Sequence, residues 1–394
     1  MNENNAIKYI KNASSVPSPR IPEHTRQLLR ALGDPSRKMK IIKVYGEVGK
    51  SILISRLSRM IAEAGYTVGL ISLTHTEAVT REAILVNGEP ITGQLFTHSV
   101  NQTAEALEAS PFTDVSPTSE EILLATGLLS LEAMGCNILI LEIPSTPHSA
   151  TTALEQPLVN VVTTIEEPSA ASIVCPLLDK SSEETVSVIQ PPNIARMLTE
   201  RCAQVNSRLT FPIKGNYYQM ECALGRIRFF YNKKEYVLSS GALYEIDAAL
   251  ALIETYEALS RRGLRLIPQG LTKALLASAD RGHFSIFSVS PTILLDCATT
   301  PVRFAALKQT LDLHRNILGD EFEVWTNHAG YQTISRCIED ENAIGFPSIL
   351  VIDEKNPYKA IKLALRDRNT ETPLLILGNH EFITYVDRTL KGFL

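Results

Sequence analysis

The segment that most restricts the fold is KIIKVYGEVGKSILISRLSRMIAEAGYTVGLISLTH, Lys40 to His75. Its opening run IIKVY is apolar and of strand length. After a glycine-containing loop, Ile52, Leu53, Leu57, Met60 and Ile61 recur at helical spacing, and Gly65 stands where a helix would stop. TVGLISL then reads as a second strand. Two such strands joined through a helix imply a parallel pair with a right-handed crossover. The chain is thereby committed to an α/β architecture.

The alternation runs on. EEILLATGLLSLEAM is helix-like, NILILEI, PLVNVVTTI and TVSVI read as strands, and NIARMLTERCAQV as a helix. RIRFFYNKKEYVL differs, with two β-rich runs around Asn-Lys-Lys that predict an antiparallel hairpin at a sheet edge. Helices follow near 244–262 and 268–279. From residue 289 the pattern restarts with TILLD, the helix VRFAALKQTLDLHRNI, FEVWT, SILVID, the helix PYKAIKLALRD and PLLILG. That restart predicts a larger P-loop-containing domain of mostly parallel sheet over 1–288 and a smaller Rossmann-like α/β domain over 289–394.

Composition narrows the function classes. A 394-residue chain exceeds one ordinary core, which agrees with two domains. A net charge of −5 provides no electrostatic footprint for nucleic acid or an anionic membrane. The six Cys (136, 175, 202, 222, 297, 337) form no CxxC pair and no Cys/His cluster, so they read as reduced packing thiols. The N-terminal MNENNAIKYIKNASS has no apolar secretion core, and no run reaches the roughly 18 apolar residues a bilayer span needs. The expectation is a soluble cytoplasmic protein.

Gly46-Glu47-Val48-Gly49-Lys50-Ser51 satisfies the inner part of a Walker A motif. In such a loop, glycines let backbone N–H groups face phosphate oxygens, the lysine neutralises the β- and γ-phosphates, and the serine hydroxyl reaches Mg²⁺. The outer glycine is missing, because Ile41 or Lys43 stands near its place. Glu47 sets a carboxylate where phosphates would lie, a repulsion of roughly 1–4 kcal/mol unless it turns outward. The bland reading is a plain strand-to-helix turn with a surface lysine.

Taken in order, several fragments resemble the folylpolyglutamate synthase/dihydrofolate synthase family of the Mur ligase superfamily. LGDPSRKMKIIKVYGEVGKS is similar to that family's LGNP-turn and its strand ending in G-T-N-G-K-G-S. AEAGYTVGLIS with LVNGEPIT resembles the segment from A-G-Y-K-V-G to I-N-G-E-P-I. NILILEI resembles the strand ending in L-E-V-G, TILLDCATTP resembles I-L-D-G-A-H-N-P, and PLLILGNHEFI resembles L-V-T-G-S-L-Y-L-V. The resemblance implies ATP and Mg²⁺ as cofactors, an acyl phosphate made from a folate-like carboxylate, and attack on it by glutamate. It also implies a monomer.

Carried over by position, Gly46 and Gly49 stand at the cradle glycines and Lys50 at the loop lysine. Ser51 takes a glycine's place but fits the general Walker pattern as a Mg²⁺ ligand. Glu142 matches the acidic metal ligand, and Asp296 the aspartate that serves the nucleotide from the second domain. Elsewhere the family pattern breaks. IPSTPHSATTA replaces V-G-L-G-G-R-x-D-A-T-N, with His148 near the arginine's place and Ala150 and Ala153 at Asp and Asn. Ser169 stands at the metal-binding histidine. No E-K-A-G-I motif holds a lysine for carbamylation, and Lys180 is the only lysine near that place. GALYEID replaces G-x-H-Q-x-x-N, putting Leu243, Tyr244 and Asp247 at its polar positions. His283 replaces an arginine, Cys297-Ala298-Thr299-Thr300-Pro301 replaces G-A-H-N-P, and His75 is one position off the S-P-H of the folate-side loop.

Apolar positions that build sheets are kept better than polar positions that build the site. Three readings stand beside one another. The first is a pseudoenzyme that binds a nucleotide, a pterin or a partner protein without forming an amide bond. The second is an active ATP-dependent carboxylate–amine ligase with a rebuilt site. The third is a P-loop ATPase or kinase of another family, which the VNGEPI run and the second domain fit poorly. The lone His residues and Asp296 also have bland readings, as hydrogen-bonded or exposed imidazoles and as a helix cap.

Overall fold

The computed structural model describes residues 1–13, 22–73, 81–109, 117–144, 153–154, 156–165, 183–277, 282–337, 345–352, 357–368 and 370–392. The chain divides into two compact units, Met1–Pro212 with Leu250–Ala274, and Ile213–Ala249 with Leu275–Leu394.

The first unit is built on eight strands: β1 (Lys40–Tyr45), β2 (Val68–Ser72), β3 (Ile84–Val86), β4 (Glu89–Pro90), β5 (Ile138–Glu142), β6 (Val159–Val162), β7 (Glu184–Ser187) and β8 (Arg208–Thr210). Their order is β4-β3-β2-β5-β1-β6-β7-β8. From β2 to β8 every pairing is parallel, as the strand–helix–strand alternation predicts. β3 and β4 pair antiparallel at one edge. Asn87 and Gly88 carry φ of 50° and 89° between them, the left-handed pair that a two-residue hairpin turn demands.

Strand alternation sends neighbouring residues to opposite faces. Ile41, Tyr45, Leu139, Leu141 and Val162 join one core with the helices Glu3–Asn12, Gly93–Ala109 and Ser119–Ala133. The last of these starts in a capping box, where Thr118 and Glu121 satisfy each other's backbone N–H groups. The helix Lys50–Ala62 packs on β1, β2 and β5 with Leu53, Leu57, Met60 and Ile61 fully buried outside that core. β1 lies between β5 and β6, so the loop leaving its C-terminal end opens at the middle of the sheet.

The second unit holds two sheets. β9 (Tyr217–Ala223), β10 (Arg226–Tyr231) and β11 (Lys234–Leu238) form an antiparallel one in the order β11-β10-β9. The hairpin expected from RIRFFYNKKEYVL is β10–β11, with Asn232 and Lys233 at φ 48° and 64°, and β11 lies at an edge. The other sheet contains β12 (Ser285–Val289), β13 (Thr292–Asp296), β14 (Glu321–Thr326), β15 (Gly345–Val351) and β16 (Leu374–Leu377), in the order β12-β13-β16-β14-β15. All its pairs are parallel except β12 with β13.

The units do not divide at 288/289. Residues 213–249 and 275–288 group with the C-terminal part of the chain. Hydrogen bonding is the reason: β12 pairs with β13 across the expected boundary, and Leu243 N–H donates to Thr310 Oγ1 at 3.2 Å. Among the described residues, no helix is long and apolar enough to cross a membrane. Cys136, Cys202 and Cys297 are buried free thiols, as expected of packing residues.

Candidate nucleotide-binding site

The loop 46–49 joins β1 to the helix Lys50–Ala62. Gly46 and Gly49 both adopt left-handed backbone, with φ of 110° and 86°. At Gly46 the freedom of glycine is needed twice over. A Cβ there would lie 2.4 Å from Thr163 Oγ1 and 2.8 Å from its carbonyl oxygen. At Gly49 a Cβ would meet nothing within 4 Å, so only the φ angle selects glycine.

The first half of the loop is fixed by the segment that follows β6. Thr163 N–H and Oγ1–H both donate to Tyr45 O, at 2.9 and 3.0 Å. Thr164 O accepts from the N–H groups of both Glu47 (2.8 Å) and Val48 (3.2 Å). Those two amides therefore point at a carbonyl. The helix that follows begins at Lys50 with no side-chain cap from Gly49. The first N–H groups of any helix have no intrahelical acceptor and carry its positive dipole end, the usual seat for a phosphate.

Lys50 is buried, and its Nζ donates to Gly46 O at 2.5 Å. The ammonium is thus folded over the loop. Glu47 is half-buried and Ser51 is an exposed first-turn residue. Gly46, Gly49, Lys50 and Ser51 thus lie on one turn and the first turn of the helix that follows it.

Glu142 ends β5 on the same sheet. In register it stands beside Val44 of β1 and Ser72 of β2. Ser72 Oγ–H donates to Glu142 Oε2 at 2.7 Å. This carboxylate and the hydroxyls of Ser72 and Ser51 are hard oxygen donors. They suit Mg²⁺, which keeps several waters and takes one or two carboxylates plus phosphate oxygens. Among the described residues, no group of three or more His, Cys, Asp or Glu side chains gathers as a metal cage. By donor type, the Ser72–Glu142 pair would suit a Mg²⁺ ion that keeps most of its water.

Asp296 belongs to the second unit, at the C-terminal end of β13. It is 4 % exposed, and its Oδ2 accepts from Tyr244 Oη–H at 2.7 Å and from Phe284 N–H at 2.8 Å. Burial pushes its carboxyl up to about 6, against the opposing pull of those donors. Burial likewise raises Asp247, with Lys214 pulling the other way. Tyr244 is therefore the partner of Asp296, at a position where the sequence shows only a departure from a family pattern. His283 is half-buried. His75, His148, Ala150, Ser169 and Lys180 lie outside the described residues.

No family model matches the chain. Over 143 residues it is 34% identical to the dihydrofolate synthase/folylpolyglutamate synthase of Bacillus subtilis (strain 168), covering 36% of this chain and 33% of that relative. The match thus spans about a third of the relative's length. Over its full length the chain is similar to the apo form of L. casei FPGS, with a TM-score of 0.82, 18% identity and 100% of both chains covered. This chain has the folylpolyglutamate synthase fold. The synthase-like fold also appears against E. coli FolC in complex with DHPP and ADP, at a TM-score of 0.78, 16% identity and coverage of 100% and 98%. The two-unit α/β architecture read from the strand–helix alternation is the one found, and the family resemblance read from the fragments is borne out.

Within this synthase-like scaffold, sequence reasoning missed Ser72, Thr163 and Thr164. Ser72 had a usable signal, since it ends a predicted strand as Glu142 ends another. The Thr164 contacts run through main-chain atoms and leave no trace in residue type, and the Thr163 hydroxyl only doubles a bond that its own N–H already makes to Tyr45 O.

Proposed function

We propose that this chain is a folylpolyglutamate synthase-like protein that keeps a nucleotide site and is catalytically impaired as a ligase. One contrast at the C-terminal ends of two central strands, β1 and β5, carries the reading. The loop keeps left-handed Gly46 and Gly49 and a buried Lys50 at the start of a helix, while of the family's acidic and histidine metal ligands only Glu142, at the end of neighbouring β5, stands among the described residues as a candidate. The sequence adds Ser169 at the metal-binding histidine and no lysine motif for a carbamate. Losing one electrostatic stabiliser usually lowers a rate by about 10²–10³, and several lost together remove most of the acceleration.

In this reading Lys50 neutralises the terminal phosphates, the start of the helix Lys50–Ala62 receives them, and Ser51 and Glu142 hold one Mg²⁺. The ion supplies charge neutralisation at the phosphoryl oxygens. Asp296, already engaged by Tyr244, Phe284 and the Ala298 N–H, shapes its own unit. The likeness to a structure holding DHPP and ADP supports ATP or ADP, with a folate-like or other small carboxylate, as the ligands. We take the protein to act as a monomer in the cytoplasm, on small molecules or together with a partner protein.

Purified protein with Mg-ATP, glutamate and a panel of dihydro- and tetrahydrofolates tests the proposal. The expected result is no phosphate release above that of Lys50→Ala, together with an ATP-dependent rise in melting temperature that the same substitution removes. The 34% identity to a Bacillus subtilis ligase favours a second reading, an active ligase with a rebuilt site. Folate-dependent turnover abolished by Lys50→Ala would establish that reading instead.

A further inference from the structure

The phosphate loop is fixed from behind. Thr164 O, which accepts the Glu47 and Val48 N–H groups, lies beyond the last paired residue of β6, Val162 opposite Ser187. Past that point the parallel ladder with β7 no longer holds residues 163–165 on that side. A single buried side chain takes its place. Gln190, 8 % exposed, donates from Nε2 to Thr163 O at 2.7 Å and accepts at Oε1 from Ile165 N–H at 3.2 Å. Its Nε2 also donates to Ser187 Oγ at 3.1 Å, which anchors the carboxamide to the end of β7.

We propose that Gln190 is a positioning residue for the phosphate loop. Its amide satisfies the main-chain groups on both sides of Thr164, which aims the Thr164 carbonyl at the loop. That carbonyl then sets the direction of the Glu47 and Val48 peptides, and these lead into Gly49 and Lys50. At neutral pH only a carboxamide carries the required donor and acceptor on one planar group of this length. A carboxylate at this position would accept from Ile165 and face the Thr163 carbonyl with a second acceptor. A methionine would fill the space and make neither bond. A buried main-chain group left without its partner is unfavourable enough to move the segment.

The inference rests on the nucleotide reading of the loop for its functional meaning, while its structural half stands apart from it. Amide hydrogen exchange in the full-length protein reads the structural half directly. In Gln190→Met, the Glu47 and Val48 amides should exchange about tenfold faster, with the amides of β5 keeping their protection. Gln190→Glu separates positioning from general damage. After correction for intrinsic exchange, its loop protection should be poor at neutral pH and return in acid, where the protonated carboxyl donates to Thr163 O. Calorimetry reads the functional half. In Gln190→Met, affinity for Mg-ADP should fall about five- to tenfold and affinity for AMP should hold, because the loop meets the outer phosphate.

Unchanged exchange at Glu47 and Val48, or a loss spread evenly over β1, β5 and β6, would overturn the proposal. Equal losses for ADP and AMP would overturn it too. A wild-type protein that binds neither nucleotide would end the function proposed above, and the exchange measurements would then decide the role of Gln190 alone.

Discussion

Tyr244 holds Asp296 through a 2.7 Å hydrogen bond from its phenol hydroxyl to Oδ2, and the Phe284 N–H shares the same oxygen. A carboxylate at the end of a Rossmann-like strand, where a ligand contact is expected from sequence, is thus braced from within its own unit. Burial still dominates its titration and pushes the carboxyl up to about 6.

That shift has a sign. The folded state binds the Asp296 proton more tightly than the unfolded state does, so its contribution to stability is full below about pH 4 and is lost as pH rises through about 6. Asp296→Asn never ionises and keeps one acceptor oxygen for the Tyr244 and Phe284 donors. Urea unfolding across this range should show the variant gaining on the wild type as pH increases. A difference that stays constant with pH would refute the assignment.

Tyr244→Phe removes one donor from a buried carboxylate. A lost hydrogen bond of this kind lowers stability by about 1–3 kcal/mol. The Asp296 carboxyl should rise further, moving the falling limb of the stability profile to higher pH. Measuring the profile of this variant beside Asp296→Asn tests both effects, because the double variant should lose little beyond the Asn substitution alone.

Gly46 and Gly49 share a left-handed backbone but differ in their surroundings. Gly49→Ala should lower stability by about 1–2 kcal/mol from the φ angle alone. Gly46→Ala adds a collision with Thr163 Oγ1 and its carbonyl, so its loss should be clearly the larger of the two. Chemical denaturation of the two variants under one set of conditions decides this, and equal losses would mean that Thr163 yields.

Glu120 opens the helix Ser119–Ala133 and is buried, and burial followed by its neighbour Glu121 pushes its carboxyl up to about 8. The folded state again favours the protonated form, so the wild type should lose stability as pH rises from about 5 to about 8. Glu120→Gln copies the neutral form. Its melting temperature should exceed the wild-type value by more at pH 9 than at about pH 5.

The framework was legible wherever burial is complete. IIKVY and NILILE read as strands because nearly every side chain in β1 and β5 is buried, so hydrophobic run length alone finds them. β8 has three residues and β9 reads YYQMECA with a broken burial pattern, and neither produces a period that a sequence scan can detect. The helix Gly93–Ala109 was hidden by its mixture of Gln, Thr, Ser and Asn.

The site was legible in part. Lys50 and its glycines stand out because phosphate-binding loops in general demand particular residue types at fixed spacing. Thr163 reaches Tyr45 O across 118 positions of chain, through a hydroxyl and an amide that most residues could partly supply. Gln190 sits in VIQPPN, where a neutral side chain before two prolines looks like a loop residue. Its meaning comes wholly from what the fold lays against it.

The second unit is stitched from two separated lengths of chain, and this limits how the protein can be dissected. A fragment started at residue 289 would carry Asp296 away from Tyr244 and Phe284 and strip β13 of its antiparallel neighbour. Such a piece would be an unfinished domain with a carboxylate oxygen stranded in its interior. Excising the C-terminal unit intact means starting upstream of residue 213 and taking residues 250–274 along as a passenger.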